Sequence, residues 1–311
     1  MIVRDAFQNS SPWMQLFFMI ASVVLVFVLF FSGGLLLGGV IFSMSPADLV
    51  WVMGDVSDPG RGPVLKYFQV VQTFGLFVGP SLLLAWLYSS RPLAYLRLAP
   101  LPPARVWLWS SLAVIFLIPP ANYLASLNET WSLPDAWSGV EQWMREAEDR
   151  GNQIQQLFMQ DTSLAGLLGN ILVVAVLGAI GEELFFRSIM QSLMVRVFRK
   201  VFPGVLLASV VFAAVHFQFF GFAPRLVMGM FLGYLLVWTG SLWAPVMAHF
   251  VNNLGGVLLG FALIRGWIPQ DAEMIWSDHK LWPLWGACTL LSVFCMWQLK
   301  KNPSNHETVS V

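Results

Sequence analysis

The fold is decided by an apolar stretch that reads ILVVAVLGAIGEELFFR over residues 171–187. It belongs to a longer run, 163–195, whose only ionisable residues are Glu182, Glu183 and Arg187. A helix of about 20 apolar residues is long enough to cross the hydrocarbon core of a bilayer. The run therefore predicts a membrane-spanning helix that carries ionisable side chains within it.

The composition of the whole chain fits the same environment. Hydrophobic residues make up 57 % of the 311 residues and charged residues 11 %, against roughly 45–50 % and about 25 % in soluble domains. The mean hydropathy of +0.69 excludes a soluble globular protein and makes the lipid bilayer a partner. Because Lys plus Arg and Asp plus Glu both number 17, no net positive charge is available to bind nucleic acid, and we expect no such partner.

Apolar runs of spanning length recur along the chain, and we count eight of them. They predict an all-α fold, a polytopic transmembrane helix bundle. The runs lie near residues 14–43, 67–88, 105–127, 163–195, 203–220, 223–240, 243–264 and 281–299.

The charges between the runs predict the orientation of the bundle. Lys and Arg collect after the second, fourth and last runs, and such connections stay in the cytoplasm. The connection 128–162 is acidic, so we expect it outside, with both termini cytoplasmic. Its residues 136–160 have the pattern of an amphipathic helix at the outer interface, or of a solvated helix with no function of its own.

Further polar side chains stand inside other predicted spans. His216 lies in one, and His249 and Asn253 lie one helical turn apart in another. An ionisable group inside a membrane is costly, by at least about 2.5–3.5 kcal/mol on insertion scales, and usually serves a function. A His or Asn bonded to a neighbouring helix is the structural explanation for each one alone.

The two acids and the Arg add to this set. Glu183 and Arg187 have the i,i+4 spacing of a helical ion pair, which alone could be structural, whereas Glu182 is left without such a partner. Because the polar residues come from three spans of an otherwise apolar chain, one shared site explains them best.

Three chemistries can use such a set. A carboxylate with His can activate a water that attacks a peptide carbonyl, while Asn and the second His stabilise the oxyanion. One Glu and two His can instead bind zinc, although no His-Glu-x-x-His helix is present. Intramembrane Glu and His also suit a proton relay in a transporter. The residues alone leave all three open.

The order of these residues resembles a known family, the CPBP family of CAAX proteases and bacteriocin-processing enzymes, also called the Abi family. Its motifs are Glu-Glu-x-x-x-Arg, Phe-x-x-x-His and His-x-x-x-Asn or Asp. The matching residues here are Glu182 to Arg187, Phe212 to His216, and His249 to Asn253. All three motifs are complete and in order.

The resemblance implies an intramembrane glutamate protease, a CAAX-type endopeptidase acting on a membrane-associated peptide or protein. Glu182 and His216 would activate the water, and His249 with Asn253 would form the oxyanion site. The expected enzyme needs no cofactor and no metal. The alternative function is a non-proteolytic immunity or scaffold protein that binds a peptide or protein partner.

Glu183 and Arg187 would support the first carboxylate, in a cavity that opens toward the cytosolic side. Straight helices place Glu182 near the cytoplasmic end of its span but His216 about 20 Å into the next one. A single site therefore requires a tilted or broken helix.

These expectations divide the chain into three regions. Residues 1–162 form an N-terminal three-span membrane region with the acidic extracytoplasmic connection, 163–265 the catalytic core, and 266–311 a connection, the last span and a cytoplasmic tail. The short termini and the lack of a transit peptide favour a multi-pass protein of a prokaryotic plasma membrane.

Overall fold

The computed structural model describes residues 4–54 and 58–301, and over these ranges the chain is helical with no β-strand. This confirms the prediction of an all-α polytopic bundle. The helices are α1 Pro12–Phe42, α2 Pro46–Gly54, α3 Gly62–Tyr88, α4 Pro92–Tyr95, α5 Ala104–Glu129, α6 Ser138–Met159, α7 Leu164–Phe198, α8 Val201–Ala214, α9 Phe222–Thr239, α10 Trp243–Ile264 and α11 Trp282–Lys301. Short 3₁₀ turns occupy Pro59–Arg61, Asp135–Trp137, Gln270–Ser277 and His279–Leu281.

Six of the described helices are long and apolar enough to cross a membrane, namely α1, α3, α5, α7, α9 and α10. Large apolar side chains along α1 lie on the outside of the protein, among them Phe17, Leu29 and Val40. Such a surface is stable only against lipid. The protein is therefore an integral, multi-pass membrane protein.

One predicted span is wrong in its extent. The run 203–220 forms only the 14-residue helix α8, which ends at Ala214. At 1.5 Å per residue α8 is about 21 Å long, shorter than the roughly 30 Å hydrocarbon core. The run reads as a span because its last residues are apolar and aromatic, but those residues form a turn. Phe217 in this turn has φ 53°, which ends the helical path.

The last predicted span corresponds to α11, which has 20 residues and packs on α5. Its Ser292 hydroxyl donates to the carbonyl of Ala113 over 2.8 Å. This helix is not among the six that meet the length and hydropathy of a span. The count of eight spans and the cytoplasmic location of both termini stay predictions, and the tail 302–311 lies outside the described residues.

Helix α7 lies at the centre of the bundle, in contact with α3, α8 and α10. It packs tightly on α3 at Gly181, where a Cβ atom would lie 2.7 Å from Thr73 Cγ2. Any larger residue at Gly181 would push the two helices apart. The basic connection before α5 is bound to the same centre, since Ser188 donates to the carbonyl of Leu96 over 2.7 Å.

The acidic connection folds as the predicted helix, α6, and this helix is docked on the bundle. Leu157 and Phe158 are buried against Leu65 of α3. Arg150 donates to the carbonyl of Gly54 over 2.8 Å. Near its start, the backbone N–H of Leu133 and then the Arg145 guanidinium hold the pKa of Glu141 below its usual value. Its location at the outer membrane interface stays a prediction.

Cysteine labelling tests the predicted orientation. In a protein with Cys288 and Cys295 replaced by Ser, we expect Gly139→Cys in α6 to react with a membrane-impermeant maleimide in intact cells. Leu101→Cys, in the basic connection, should react only after the cells are permeabilised. Both positions are exposed, and a Cβ at Gly139 meets no atom within 4 Å. The opposite labelling pattern would show that the acidic connection is cytoplasmic.

Candidate active site

The two adjacent carboxylates stand on a short α-helical stretch, Gly178–Glu183, in the middle of α7. Wider π-helical stretches precede and follow it, at Ile171–Leu177 and Leu184–Gln191. Such π-helical turns occur often at functional sites. Because successive residues of an α-helix point about 100° apart, Glu182 and Glu183 face different surroundings.

Glu183 is completely buried between a guanidinium and an imidazole. Its Oε2 accepts a hydrogen bond from Arg187 Nε at 2.8 Å, which is the predicted i,i+4 ion pair. Its Oε1 lies 2.9 Å from Nδ1 of His249. Since a carboxylate oxygen can only accept, His249 Nδ1 carries the proton and donates it. Neither Glu183 nor Arg187 has exposed surface, and the contact of Glu183 with His249 joins α7 to α10 inside the bundle.

An aromatic side chain completes the surroundings of Arg187. Its guanidinium carbon lies 4.9 Å from the ring centroid of Phe212 on α8, a cation–π contact. The same ring contacts the imidazoles of His216 and His249, with centroids 5.0 and 6.0 Å away. The Phe212 ring therefore contacts the Arg187 guanidinium and both imidazoles.

Glu182 faces the two imidazoles. Its Oε2 lies 4.0 Å from Nε2 of His216 and 3.8 Å from Nε2 of His249. This oxygen is buried and accepts no hydrogen bond from the described residues. Each ring is oriented by a hydrogen bond at Nδ1, on the edge away from Glu182. His216 Nδ1 donates to the carbonyl of Phe212 over 2.7 Å, and His249 Nδ1 donates to Glu183 over 2.9 Å. Both Nε2 atoms are thus directed toward a carboxylate oxygen that accepts no hydrogen bond from the described residues.

Asn253 lies one turn after His249, as its spacing predicts. Its Nδ2 donates to the carbonyl of Val174 over 3.2 Å, in the first π-helical stretch of α7. Its Oδ1 accepts from Nδ2 of Asn252 at 3.2 Å. One N–H of the Asn253 amide group thus orients the side chain, and the second N–H is available to a ligand.

A cavity of about 390 Å³ adjoins this cluster. Its walls come from the end of α5, from α6, from the turn after α8 and from α9 and α10. The lining includes His216, His249 and Asn253. Glu182 is not part of the lining, but its carboxylate lies within 4.0 Å of both histidines that are.

The structure removes the predicted difference in depth between Glu182 and His216. Helix α7 continues to Phe198, so Glu182 stands about 24 Å from that end at 1.5 Å per residue. Helix α8 begins at Val201 after a two-residue turn and rises about 20 Å to Ala214, two residues before His216. The two side chains are therefore at a similar depth, because α7 continues well past Glu182 and α8 ends two residues before His216.

The predicted direction of the cavity conflicts with the predicted orientation. The cavity lies against Glu148, Asn152 and Gln155 of α6, which is the acidic connection. The charges place that connection outside, whereas the resemblance implies a cytosolic opening. The side of the membrane on which the acidic connection lies and the side to which the cavity opens both stay predictions.

Some residues at the cavity were not predicted from the sequence. Arg225 on α9 and Glu148 and Asn152 on α6 line it, together with Asn252. In the sequence, Glu148 and Asn152 have the pattern of a solvated polar face of α6. Arg225 stands at the start of a predicted span, where a basic residue is common. The only signal in the sequence was Asn252 beside Asn253, a second amide next to a motif residue.

The comparisons with known proteins agree with this geometry. Residues 164–255 match the family described as type II CAAX prenyl endopeptidase, Rce1-like. The similarity to the CAAX protease family therefore lies in this segment. The match confirms the resemblance found in the three motifs, and it contains every residue of them.

Two curated relatives come from Bacillus subtilis. The chain is 28 % identical over 105 residues to the protein named "Putative membrane peptidase YdiL", which covers 34 % of this chain and 43 % of that protein. It is 31 % identical over 86 residues to "Uncharacterized protein YpbD", covering 26 % of this chain and 41 % of that protein. The chain thus spans less than half the length of these relatives. No solved structure matches it.

The buried Glu183–Arg187 pair predicts a specific stability result. Arg187→Met should lower the free energy of unfolding by about 3–5 kcal/mol, because it leaves a buried carboxylate without its guanidinium. The double variant Glu183→Gln with Arg187→Met removes both charges and should lose less. Thermal unfolding in detergent micelles, followed by circular dichroism, measures both. Equal losses in the two variants would show that the pair is not electrostatically coupled.

Proposed function

We propose that the protein is an intramembrane endopeptidase of the glutamate type. It hydrolyses a peptide bond of a membrane-associated protein or peptide, whether prenylated or not. The observation that carries the proposal is the buried, unpaired Oε2 of Glu182, with Nε2 of His216 and Nε2 of His249 at 4.0 and 3.8 Å. The family match at residues 164–255 and the peptidase name of one relative support it.

The first step of the proposed reaction is activation of water. A water between Glu182 and His216 donates one proton toward the carboxylate and contacts Nε2 of the imidazole. Glu182 takes that proton as the water oxygen bonds to the carbonyl carbon of the peptide. Because His216 Nδ1 is held by the Phe212 carbonyl, its Nε2 keeps one direction throughout this step.

Charge then develops on the former carbonyl oxygen. The free N–H of Asn253 and a proton on Nε2 of His249 can donate to it, as oxyanion-hole donors do. With His249 protonated, the charges of Glu182, Glu183, Arg187 and His249 sum to zero. A neutral set is the least costly arrangement of charges in an apolar surrounding.

Collapse of the tetrahedral intermediate completes the reaction. The bond from carbon to nitrogen breaks, and the leaving nitrogen takes the proton held by Glu182, which returns to its carboxylate form. The amide side chains that line the cavity, Asn122, Asn152, Gln155 and Asn252, can donate to and accept from the main chain of an extended peptide.

Loss of Glu182 tests the proposal directly. Glu182→Gln should reduce cleavage by about 10²–10⁴-fold, the usual effect of removing a general base, and leave the melting temperature unchanged. We would compare the protein termini in membranes of cells that make wild type or Glu182→Gln at equal abundance. Termini found only with wild type would identify the substrates.

The matched control is Glu146→Gln on α6, an exposed Glu that bonds only Gln142 in the described part of the chain. It should produce the wild-type set of termini. Identical termini from wild type and Glu182→Gln, with both forms rescuing a deletion phenotype, would overturn the protease proposal. Binding or scaffolding would then be the function.

Metal analysis separates the water-activating Glu from the zinc alternative. Ligand atoms around tetrahedral zinc lie about 3.3 Å apart, and the distances from Glu182 Oε2 to the two Nε2 atoms, 3.8 and 4.0 Å, are longer. Among residues 4–54 and 58–301, no three His, Cys, Asp or Glu side chains are placed to hold a metal. We expect elemental analysis to find no stoichiometric zinc, and a chelator to leave cleavage unchanged. One zinc per chain that is required for cleavage would contradict this.

A further inference from the structure

His216 stands in a turn and not on a helix. Helix α8 ends at Ala214 and α9 begins at Phe222, so the chain between them, 215–221, places the imidazole. Within the described residues, one hydrogen bond fixes the ring itself, from Nδ1 to the Phe212 carbonyl. The direction of Nε2 toward Glu182 therefore depends on the conformation of this turn.

The turn has an unfavourable backbone conformation immediately after His216. Phe217 has φ 53°, in the left-handed region that bulky side chains avoid. Its own side chain is 57 % exposed and adds little to hold it. Conformations of this kind persist where surrounding contacts fix them. The stabilising contacts must therefore come from the neighbouring residues of the turn.

Helix α6 supplies these contacts. The Glu148 carboxylate accepts a hydrogen bond from the backbone N–H of Phe220 at 2.7 Å. Asn152 Oδ1 accepts from Gln218 Nε2 at 3.1 Å. Arg145 lies over the ring of Phe220, 4.2 Å from its centroid. The α6 residues are three and four positions apart, so they share one face of the helix, and that face lies on the turn.

The turn is also held from the opposite side. Arg225 on α9 donates to the carbonyl of Gln218 at 3.3 Å and to its side-chain Oε1. Gln218 is thus fixed between α6 and α9. Arg225 also interacts electrostatically with Glu148 and Glu182. Replacement of Glu148 could therefore act through the turn or through charge, and the experiment has to separate the two.

We infer that Glu148 is a positioning residue for the reaction: its hydrogen bond to the Phe220 N–H holds the turn that directs His216 toward Glu182. The inference rests on the proposed function. It assigns a role to α6, which lies outside the segment 164–255 that matches the family. The residue touches the turn and not the reacting atoms.

Four variants test the inference, with a substrate identified by its Glu182-dependent cleavage as the probe. Glu148→Ala should lower kcat by about 10- to 100-fold with KM unchanged, since small displacements of a catalytic group have effects of this size. Glu148→Gln keeps an acceptor oxygen for the Phe220 N–H and should stay within about threefold of wild type. Asp149→Ala, at the exposed neighbouring position on the same helix, should cleave as wild type does.

The fourth variant adds Phe217→Asn to Glu148→Ala. Asn adopts the left-handed conformation more easily than Phe, so this change should restore part of the lost kcat. A merely structural role for Glu148 would not respond to it. Hydrogen exchange of residues 217–221 adds a readout independent of substrate, and it should speed up in Glu148→Ala and stay slow in Glu148→Gln.

Three results would overturn the inference. The first is a wild-type kcat in Glu148→Ala. The second is an equal loss of kcat in Glu148→Ala and Glu148→Gln, which would show that the charge of Glu148 acts on Arg225. The third is unchanged hydrogen exchange of residues 217–221 in Glu148→Ala. Failure of the proposed function would give a different set of results. Wild type and Glu182→Gln would then produce the same protein termini, while hydrogen exchange of the turn would still depend on Glu148.

Discussion

The site depends on one interaction, the contact of the buried Glu183 carboxylate with Arg187 on one side and His249 on the other. In a low-dielectric surrounding, an ionised carboxylate is stable only with such partners. The pair within α7 supplies one of them, and α10 must approach closely to supply the other, with Nδ1 at 2.9 Å. Because Arg187 also packs on Phe212 of α8, the same carboxylate fixes the relative positions of three helices.

This arrangement determines what is left for Glu182. Arg187 Nε and His249 Nδ1 donate to Glu183, whereas the Nε2 atoms of His249 and His216 face Glu182, at 3.8 and 4.0 Å from its Oε2. The bond at Nδ1 also turns the opposite edge of the His249 ring toward Glu182. One acidic residue thus accepts two hydrogen bonds, while Oε2 of the next accepts none from the described residues, and this difference follows from the turn of about 100° between neighbours on a helix.

The sequence predicted which polar residues lie together better than it predicted the chain path around them. Glu182, Glu183 and Arg187 could be found because charges are rare in a chain with 11 % charged residues, so each one inside a span is informative. The end of α8 was missed because hydropathy cannot distinguish an apolar turn from the end of a spanning helix. The positive φ of Phe217 has no sequence signal, since Phe rarely adopts it. Glu148 was missed because an acid on an amphipathic helix looks solvated until its partner is known.

The same physics explains why the site needs a helix from outside the matched segment. A chain that stops being helical in an apolar surrounding must satisfy the backbone groups it frees, and only other parts of the protein can do so. The break after Ala214 frees the N–H groups of Phe220 and Ala223, which are bound by Glu148 of α6 and by Asn128 at the end of α5, at 2.7 and 2.8 Å. The turn that places His216 between two helices thus requires acceptors from the acidic connection. The motif residues lie within 164–255, but the backbone that presents His216 is completed by α5 and α6.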